Sequence, residues 1–144
     1  MLKGISPLIS PELLYAMALM GHGDRLVIAD ANFPAHSVGK SAMVIRQDGI
    51  AIPNLLSEVL KLFPLDHLTP PTHVMQVSQG DVQKGVKTEI WNTYKDILKN
   101  YNGSADLVEL ERQHFYEESK KAFAIVLTGE TTAYANLMLT KGVL

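Results

Sequence analysis

The sequence of 144 residues contains no cysteine, and aromatic side chains make up 7% of it. Without cysteine the chain cannot form disulfides, thiolate zinc sites, iron–sulfur clusters or a thiol nucleophile. A chain of this length buries roughly two thirds of the surface that it exposes when unfolded, so it can build a core without such cross-links. Its composition, with 47% apolar and 19% charged residues, is that of a globular protein. We therefore expect residues 1–144 to form a single domain.

An excess of positive charge is also missing. The chain carries 13 basic and 15 acidic side chains, which gives a formal net charge of −2. Nucleic-acid binding depends on clustered Lys and Arg side chains that neutralise phosphates, and anionic membrane surfaces attract similar clusters. We therefore expect neither nucleic acid nor a membrane surface as a partner.

Long hydrophobic runs are absent as well. The longest apolar runs, residues 13–20 and 122–127, fall well short of the roughly 20 residues that a membrane-spanning helix needs. The first residues, Met1-Leu2-Lys3-Gly4, lack the apolar region and cleavage site of a signal peptide. These features predict a cytoplasmic protein.

Strand-like and helix-like apolar patterns alternate along the chain. Short apolar runs predict strands at residues 25–30, 43–46, 73–77, 107–111, 122–127 and 136–140. Helical spacing predicts helices at residues 11–20, 53–63, 87–101 and 116–121, the first capped by Ser10 and the third ended by Asn102-Gly103. This alternation predicts an α/β fold, a three-layer αβα domain with a largely parallel or mixed sheet. In such sheets ligands bind at the carboxyl ends of the strands.

His22 lies between two glycines, in a segment that joins a predicted helix to a predicted strand. Flanking glycines let the backbone bend sharply and leave room for a ligand beside the ring. Asp30 ends that strand, and an imidazole near a carboxylate at one strand edge would form an acid–base pair. Two simpler interpretations stay open: an exposed His22 in a helix-ending turn, and Asp30 as a loop cap.

A second group of polar side chains lies towards the C-terminus. Arg112 and Tyr116 follow a predicted strand, and Tyr134 and Asn136 lie at the start of the last one. Guanidinium, hydroxyl and amide groups together suit a polyhydroxylated ligand. The alternative is a surface arginine paired with a nearby glutamate and a tyrosine that is half-buried in the core.

Other familiar patterns are incomplete. Gly39-Lys40-Ser41 ends like a phosphate-binding loop, but the glycine that this motif needs upstream is missing. The spacing of His22, Asp30 and His36 matches no metal site, and no nucleophile elbow accompanies a serine. We therefore predict no metal site, no nucleotide cofactor and no nucleophilic hydrolysis.

Several segments, spread over nearly the whole chain, form a combination that is specific although each segment alone is weak. They are residues 3–14 (Lys3-Gly4-Ile5-Ser6-Pro7 and onwards), Gly21-His22-Gly23-Asp24, Asp30, Asn32-Phe33-Pro34-Ala35, Arg46 with Asp48-Gly49, Arg112, Phe115-Tyr116-Glu117, residues 120–126, Thr128-Gly129-Glu130 and Tyr134-Ala135-Asn136. In this combination the chain resembles the L-fucose mutarotase family, which is sister to the ribose pyranases.

The resemblance implies an enzyme without a cofactor that interconverts the α and β anomers of a free sugar, with L-fucose as the expected substrate. It also implies a ring-shaped homodecamer whose active sites are shared between neighbouring subunits. By position it implies His22 as the proton donor. The sugar-binding residues that it implies are Asp30, Arg112, Tyr134, Ala135 and Asn136, with Tyr116 as a further candidate.

Three positions depart from the fucose branch of this family. Ala135 stands where glycine is typical, as in the ribose branch, Glu118 where arginine is common, and Arg25 where an acid is common. Alanine in place of glycine is unfavourable only where φ is positive. A ribose pyranase-type mutarotase is therefore an alternative. Two others are a non-catalytic sugar-binding or transport-accessory protein and a metal-dependent sugar isomerase or aldolase.

Overall fold

The computed structural model describes residues 2–102 and 105–144. Its strands are β1 (Arg25–Ala29), β2 (Met43–Gln47), β3 (Thr72–Met75), β4 (Val108–Leu110), β5 (Ala124–Thr128) and β6 (Leu137–Thr140). They form one sheet in the order β2-β5-β1-β6-β3-β4. Strand β6 is antiparallel to its neighbours β1 and β3, and the other neighbouring pairs are parallel. The predicted mixed sheet is confirmed.

The helices are α1 (Pro11–Leu19), α2 (Ala35–Val38), α3 (Ile52–Val59), α4 (Gln79–Gln83), α5 (Glu89–Asn102) and α6 (Arg112–Ser119). Helices α2 and α4 were not predicted, because each is too short to show a helical apolar period. Helix α6 starts at Arg112, which is earlier than predicted. The predicted end of α5, at Asn102-Gly103, lies partly outside the described residues. Within the described residues, no helix is both long enough and apolar enough to cross a membrane.

Helices cover both faces of the sheet. Along β1, Leu26 and Ile28 pack in one apolar core and Val27 and Ala29 pack in another, because successive side chains of a strand point to opposite faces. The first core takes residues from α1, α3 and α5, and the second takes residues from α2 and α6. The three-layer αβα arrangement is therefore confirmed.

The end of α1 is fixed at the sheet edge where β1 begins. Lys141, which directly follows β6, donates hydrogen bonds from Nζ to the carbonyl oxygens of Met17 and Met20 at 2.9 and 2.6 Å. A lysine at this position satisfies carbonyl groups that a helix end leaves without partners. The turn that carries His22 starts here and is therefore held against the sheet.

Candidate functional site

The carboxyl edge of the parallel strands brings together residues from distant parts of the chain. Asp30 directly follows β1, and Arg112 begins α6 shortly after β4. Because β6 is antiparallel to β1 and β3, its first residue lies at the same edge as their last residues. Tyr134 and Asn136, which precede β6, therefore face Asp30 and Arg112.

These side chains line a cleft of about 250 Å³, which we call the Asp30 cleft. Its lining residues are Asp30, Asn32, Phe33, Met75, Asp81, Arg112, Tyr116, Tyr134 and Asn136. Pockets for drug-sized ligands measure about 300–1,000 Å³, so the Asp30 cleft suits a smaller ligand of monosaccharide size. Its walls offer carboxylates, amides, a guanidinium, phenol hydroxyls and aromatic faces, which is a set that recognises hydroxyl groups.

Asn136 holds the Asp30 carboxylate in place. Asn136 Nδ2 donates to Asp30 Oδ2 at 2.7 Å, and Asn136 Oδ1 accepts the backbone N–H of Asp30 at 2.8 Å. The backbone N–H of Asn32 donates to Asp30 Oδ1 at 2.9 Å. Each carboxylate oxygen therefore receives one hydrogen bond and keeps acceptor capacity for a ligand. The Asn136 amide keeps one N–H donor.

Tyr134 has an unusual backbone conformation. Its φ is +59°, and it is the one non-glycine residue with a positive φ in the described part of the chain. From α5, Trp91 Nε1 donates to the Tyr134 carbonyl at 2.9 Å and the Tyr94 hydroxyl donates to the Ala135 carbonyl at 2.7 Å. Burial raises the pKa of Tyr94 far above its usual range, so this hydroxyl keeps the proton that it donates. These hydrogen bonds stabilise a strained backbone at the cleft.

The Tyr134 hydroxyl is hydrogen-bonded to the start of α4. It donates to Asp81 Oδ2 at 2.5 Å and accepts the backbone N–H of Ser78 at 3.2 Å. Ser78 caps α4 by accepting the Asp81 N–H at 3.2 Å. This serine–aspartate spacing signals a helix start, but nothing in the sequence connects it with position 134. Asp81 was therefore missed as a residue of the cleft.

Arg112 and Tyr116 lie one turn apart on α6. The guanidinium carbon of Arg112 is 5.9 Å from the centre of the Tyr116 ring. That ring packs against Phe33, with a distance of 5.6 Å between ring centres. This contact places the Arg112 guanidinium beside the aromatic wall of the cleft, which Arg112 also lines.

His22 lies at the opposite edge of the sheet, because it precedes β1 whereas Asp30 follows it. A strand of the length of β1, five residues, extends roughly 17 Å. Gly23, with φ +86°, completes the tight turn, and its N–H donates to the Lys141 carbonyl at 2.8 Å. The prediction that His22 and Asp30 share one strand edge is therefore wrong within a single chain. The two residues flank β1, so the length of that strand separates them.

Asp66 is the partner of His22 at that edge. His22 Nε2 lies 3.2 Å from Asp66 Oδ1, and Asp66 Oδ2 accepts the Thr69 hydroxyl at 2.6 Å. The hydrogen bonds from Thr69 and from the Leu68 N–H, together with His22, hold the pKa of Asp66 far below its usual range. The His22 side chain is 44% exposed. The imidazole thus has an ionised carboxylate on one side and solvent on the other.

Comparison with known proteins places the chain in a family. The sequence profile of the RbsD / FucU transport protein family matches residues 3–144. The chain belongs to this family.

Relatives of this RbsD / FucU chain match it over almost its whole length. The fucose mutarotase of Homo sapiens is 52% identical over 145 residues, which cover 99% of this chain and 94% of the human protein. The crystal structure of FucU from Bifidobacterium longum is 46% identical, with a TM-score of 0.94 over 99% of each chain. The crystal structure of the fucose mutarotase in complex with L-fucose from Streptococcus pneumoniae is 44% identical, with a TM-score of 0.91 over 99% of each chain.

Ala135 takes a different place in this RbsD / FucU chain from the one predicted. Its side chain is fully buried in the first apolar core and does not line the Asp30 cleft. The positive φ belongs to Tyr134, so alanine at position 135 carries no backbone penalty. The Ala135 side chain therefore faces away from the Asp30 cleft, and contact between Ala135 and the sugar, which stays a prediction, would involve its backbone.

The other two departures from the fucose branch form a pair with each other. Arg25 Nη1 and Glu118 Oε2 form an ion pair that connects the start of β1 with the end of α6. Lys121 Nζ donates to the other carboxylate oxygen of Glu118 at 2.8 Å. Neither Arg25 nor Glu118 lines the Asp30 cleft.

Among the described residues, no group of three or more His, Asp or Glu side chains could hold a metal ion.

Proposed function

We propose that residues 1–144 form one mutarotase domain that interconverts the α and β anomers of free L-fucose. The observation that carries this proposal is the Asp30 cleft, where groups that recognise hydroxyls surround a space of monosaccharide size. The 52% identity with the human fucose mutarotase supports the activity. The likeness to the Streptococcus pneumoniae enzyme in complex with L-fucose supports the sugar.

Mutarotation requires two proton transfers and no change of oxidation state. A base takes the proton of the anomeric hydroxyl, the bond between the anomeric carbon and the ring oxygen breaks, and an acid protonates the ring oxygen. Reclosure on the other face of the aldehyde reverses both transfers. Because the reaction also proceeds unaided in water, a factor of about 10²–10⁴ from positioned acid–base groups is sufficient.

The Asp30 cleft supplies the base and the sugar-binding groups in this proposal. Asp30, or a water that it orients, accepts the anomeric proton. Arg112 donates to sugar oxygens from the edge of its guanidinium, and the remaining N–H of Asn136 does the same. The ring of Tyr116 offers an apolar surface to the carbon skeleton.

His22 of a neighbouring copy supplies the acid. In the described part of one chain, no histidine lines the Asp30 cleft, whereas His22 is exposed at the far edge with Asp66 behind it. An ionised carboxylate next to an imidazole stabilises the protonated ring, which can then donate to the ring oxygen. The ring-shaped homodecamer with shared sites that the resemblance implies gives His22 of one copy a way to reach Asp30 of the next.

Exchange between the anomers of L-fucose, measured by saturation-transfer proton NMR, tests the proposal. We expect the protein to accelerate exchange, and His22→Ala and Asp30→Asn to abolish most of the acceleration. Asp96→Asn, which neutralises an exposed carboxylate on α5, serves as the control with parental activity. A His22→Ala protein as fast as the parent would falsify the role of His22. Binding of L-fucose without faster exchange would indicate a non-catalytic sugar-binding protein.

D-ribose in the same experiment distinguishes the two sugar branches. Ala135 is the feature that favours a ribose-type enzyme, but its burial below the cleft removes its side chain from direct contact with the sugar. We therefore expect faster exchange with L-fucose than with D-ribose.

Two other parts of the proposal have their own tests. Sedimentation of the purified protein tests the homodecamer, and fractionation of cells tests the cytoplasmic location.

A further inference from the structure

We propose that Asp81 is a positioning residue that makes the Tyr134 hydroxyl an acceptor for one hydroxyl of the bound sugar. This inference rests on the proposed function, because it takes the Asp30 cleft as the sugar site. Asp81 and Tyr134 both line that cleft. The direction of a hydrogen bond at this point decides which groups on a sugar the cleft accepts.

The hydrogen bonds of Tyr134 fix the direction of its proton. A phenol has one proton, and Tyr134 donates it to Asp81 Oδ2 at 2.5 Å. The same oxygen accepts the backbone N–H of Ser78 at 3.2 Å. Since the proton is already used, the oxygen can offer a ligand only a lone pair. A sugar group that contacts the Tyr134 oxygen must therefore be a donor.

The chemistry of Asp81 makes this direction stable. An ionised carboxylate has no proton to donate, so Tyr134 is necessarily the donor between the two. Hydrogen bonds from Tyr134 and Ser78 keep the pKa of Asp81 below its usual range. Lys84 Nζ, 3.7 Å from Asp81 Oδ1, further favours the ionised form. A hydroxyl-to-carboxylate hydrogen bond of this length belongs to the strong, charge-assisted kind.

The same contact ties α4 to Tyr134. None of the five residues of α4 is buried, so apolar packing does not fix this short helix. Tyr134 is in turn held by Trp91 of α5 through its carbonyl. A line of hydrogen bonds therefore runs from α5 through Tyr134 to α4, and Asp81 is its last member at the wall of the cleft.

Fluorinated sugars test the direction of the hydrogen bond. Fluorine in place of a hydroxyl cannot donate, so we expect one monodeoxyfluoro derivative of L-fucose to bind the parent protein about 10-fold more weakly than L-fucose does. In Asp81→Asn the new amide can donate to the Tyr134 oxygen, which releases the phenol proton towards the ligand. In this variant we expect that derivative to bind at most about 3-fold more weakly than L-fucose does. Dissociation constants are measured by NMR titration, since fluorine also alters the intrinsic rate of ring opening.

Three further variants separate this effect from a merely structural one. The fluorine penalty is the factor by which affinity falls when fluorine replaces one hydroxyl of L-fucose. Ser78→Ala removes the cap of α4 but retains the contact between Asp81 and Tyr134, so we expect the same fluorine penalties as in the parent. Tyr134→Phe removes the acceptor itself, so the penalty at that sugar position disappears. Asp96→Asn on α5 controls for loss of a carboxylate elsewhere and keeps the parental dissociation constants.

The outcomes that contradict the inference are distinct from failure of the proposed function. Equal fluorine penalties in the parent and in Asp81→Asn, at every sugar position, show that Asp81 does not direct the Tyr134 proton. A full penalty that persists in Tyr134→Phe contradicts the inference even if Asp81→Asn does not fold. A parent protein that neither binds nor interconverts L-fucose overturns the proposed function, and this inference falls with it.

Discussion

Asp30 and Asp66 show how hydrogen-bond partners give the same side chain two different tasks. Asp30 receives hydrogen bonds from an amide side chain and a backbone N–H, and it faces a cleft with acceptor capacity left. Asp66 receives the Thr69 hydroxyl and the Leu68 N–H, which keep it ionised behind His22. One carboxylate is thus arranged to meet a ligand, and the other to support an imidazole.

Substitution of Asp66 tests this support at the scale of one residue. We expect Asp66→Asn to slow the exchange of L-fucose anomers by about 10-fold or more at neutral pH, because the charge that stabilises the protonated His22 ring is lost. Thr69→Val removes one hydrogen bond from Asp66 but leaves it ionised at pH 7, since even an unperturbed aspartate has a pKa of about 3.9. We therefore expect Thr69→Val to stay within about 3-fold of the parent. An Asp66→Asn protein with parental exchange rates excludes this role.

Single residues also show where prediction from the sequence ends. Asp30, Arg112, Tyr134 and Asn136 were predicted from the hydrogen-bonding chemistry of their side chains and from the family resemblance. Asp81 was missed because its partner is 53 positions away in sequence and no local pattern records that contact.

At the scale of elements, the direction of β6 assembles the cleft. All six strands were predicted from short apolar runs, but such runs carry no information on strand direction. Because β6 is antiparallel, its start brings Tyr134 and Asn136 to the carboxyl edge of β1. The same rule explains the error over His22, which precedes β1 and therefore lies at the amino edge.

The turn after β5 contacts the segment after β2 and the loop that carries Asp30. Gly129 is required there, since a Cβ atom at this position would lie 2.0 Å from the Asp48 carbonyl oxygen. The next residue, Glu130, is buried, and its Oε1 accepts the Thr132 hydroxyl at 2.6 Å. Its carbonyl accepts the N–H of Ala31 at 2.8 Å, next to Asp30. The turn therefore links the end of β5 to the loop that carries Asp30.

Glu130→Gln tests the contribution of this turn to stability. Burial acts to raise the pKa of Glu130, but hydrogen bonds from Thr132 and from the N–H groups of Ile52 and Thr131 outweigh it, so the pKa is lowered. A lowered carboxyl pKa contributes stability above the unfolded-state value, and this contribution is lost as pH falls through the folded-state value. We expect Glu130→Gln to lower the free energy of unfolding by about 1–3 kcal/mol at pH 7.

Urea unfolding followed by circular dichroism at pH 7 and at pH 3.5 measures this difference. The gap between Glu130→Gln and the parent should narrow at the lower pH, because below its ordinary pKa the Glu130 carboxyl binds a proton in the unfolded state before it does so in the folded state. Glu109→Gln, on the exposed side of β4, should stay within about 0.5 kcal/mol of the parent. A gap that is equally large at both pH values contradicts the role of the ionised form.

At the scale of the whole molecule, the two halves of the proposed proton-transfer system lie at opposite edges of the sheet of one chain. The Asp30 cleft has the groups proposed to bind the sugar, and the far edge has His22 with Asp66. Strand β1 lies between these two edges, and its residues 26–29 are fully buried, so His22 and Asp30 of one chain stay at opposite ends of a packed strand. In the proposed function, a second copy of the chain brings its His22 to the Asp30 cleft.

Mixing two inactive variants tests whether neighbouring copies share the site. His22→Ala keeps an intact cleft, and Asp30→Asn keeps an intact imidazole. When equal amounts are co-expressed and assemble at random, about one quarter of the sites combine an intact cleft with an intact imidazole from the neighbouring copy. We expect anomer exchange to recover to about a quarter of the parental rate, although each variant alone is inactive. A site formed by His22 and Asp30 of the same chain cannot be restored by mixing, so an inactive mixture of correctly assembled variants contradicts the shared site.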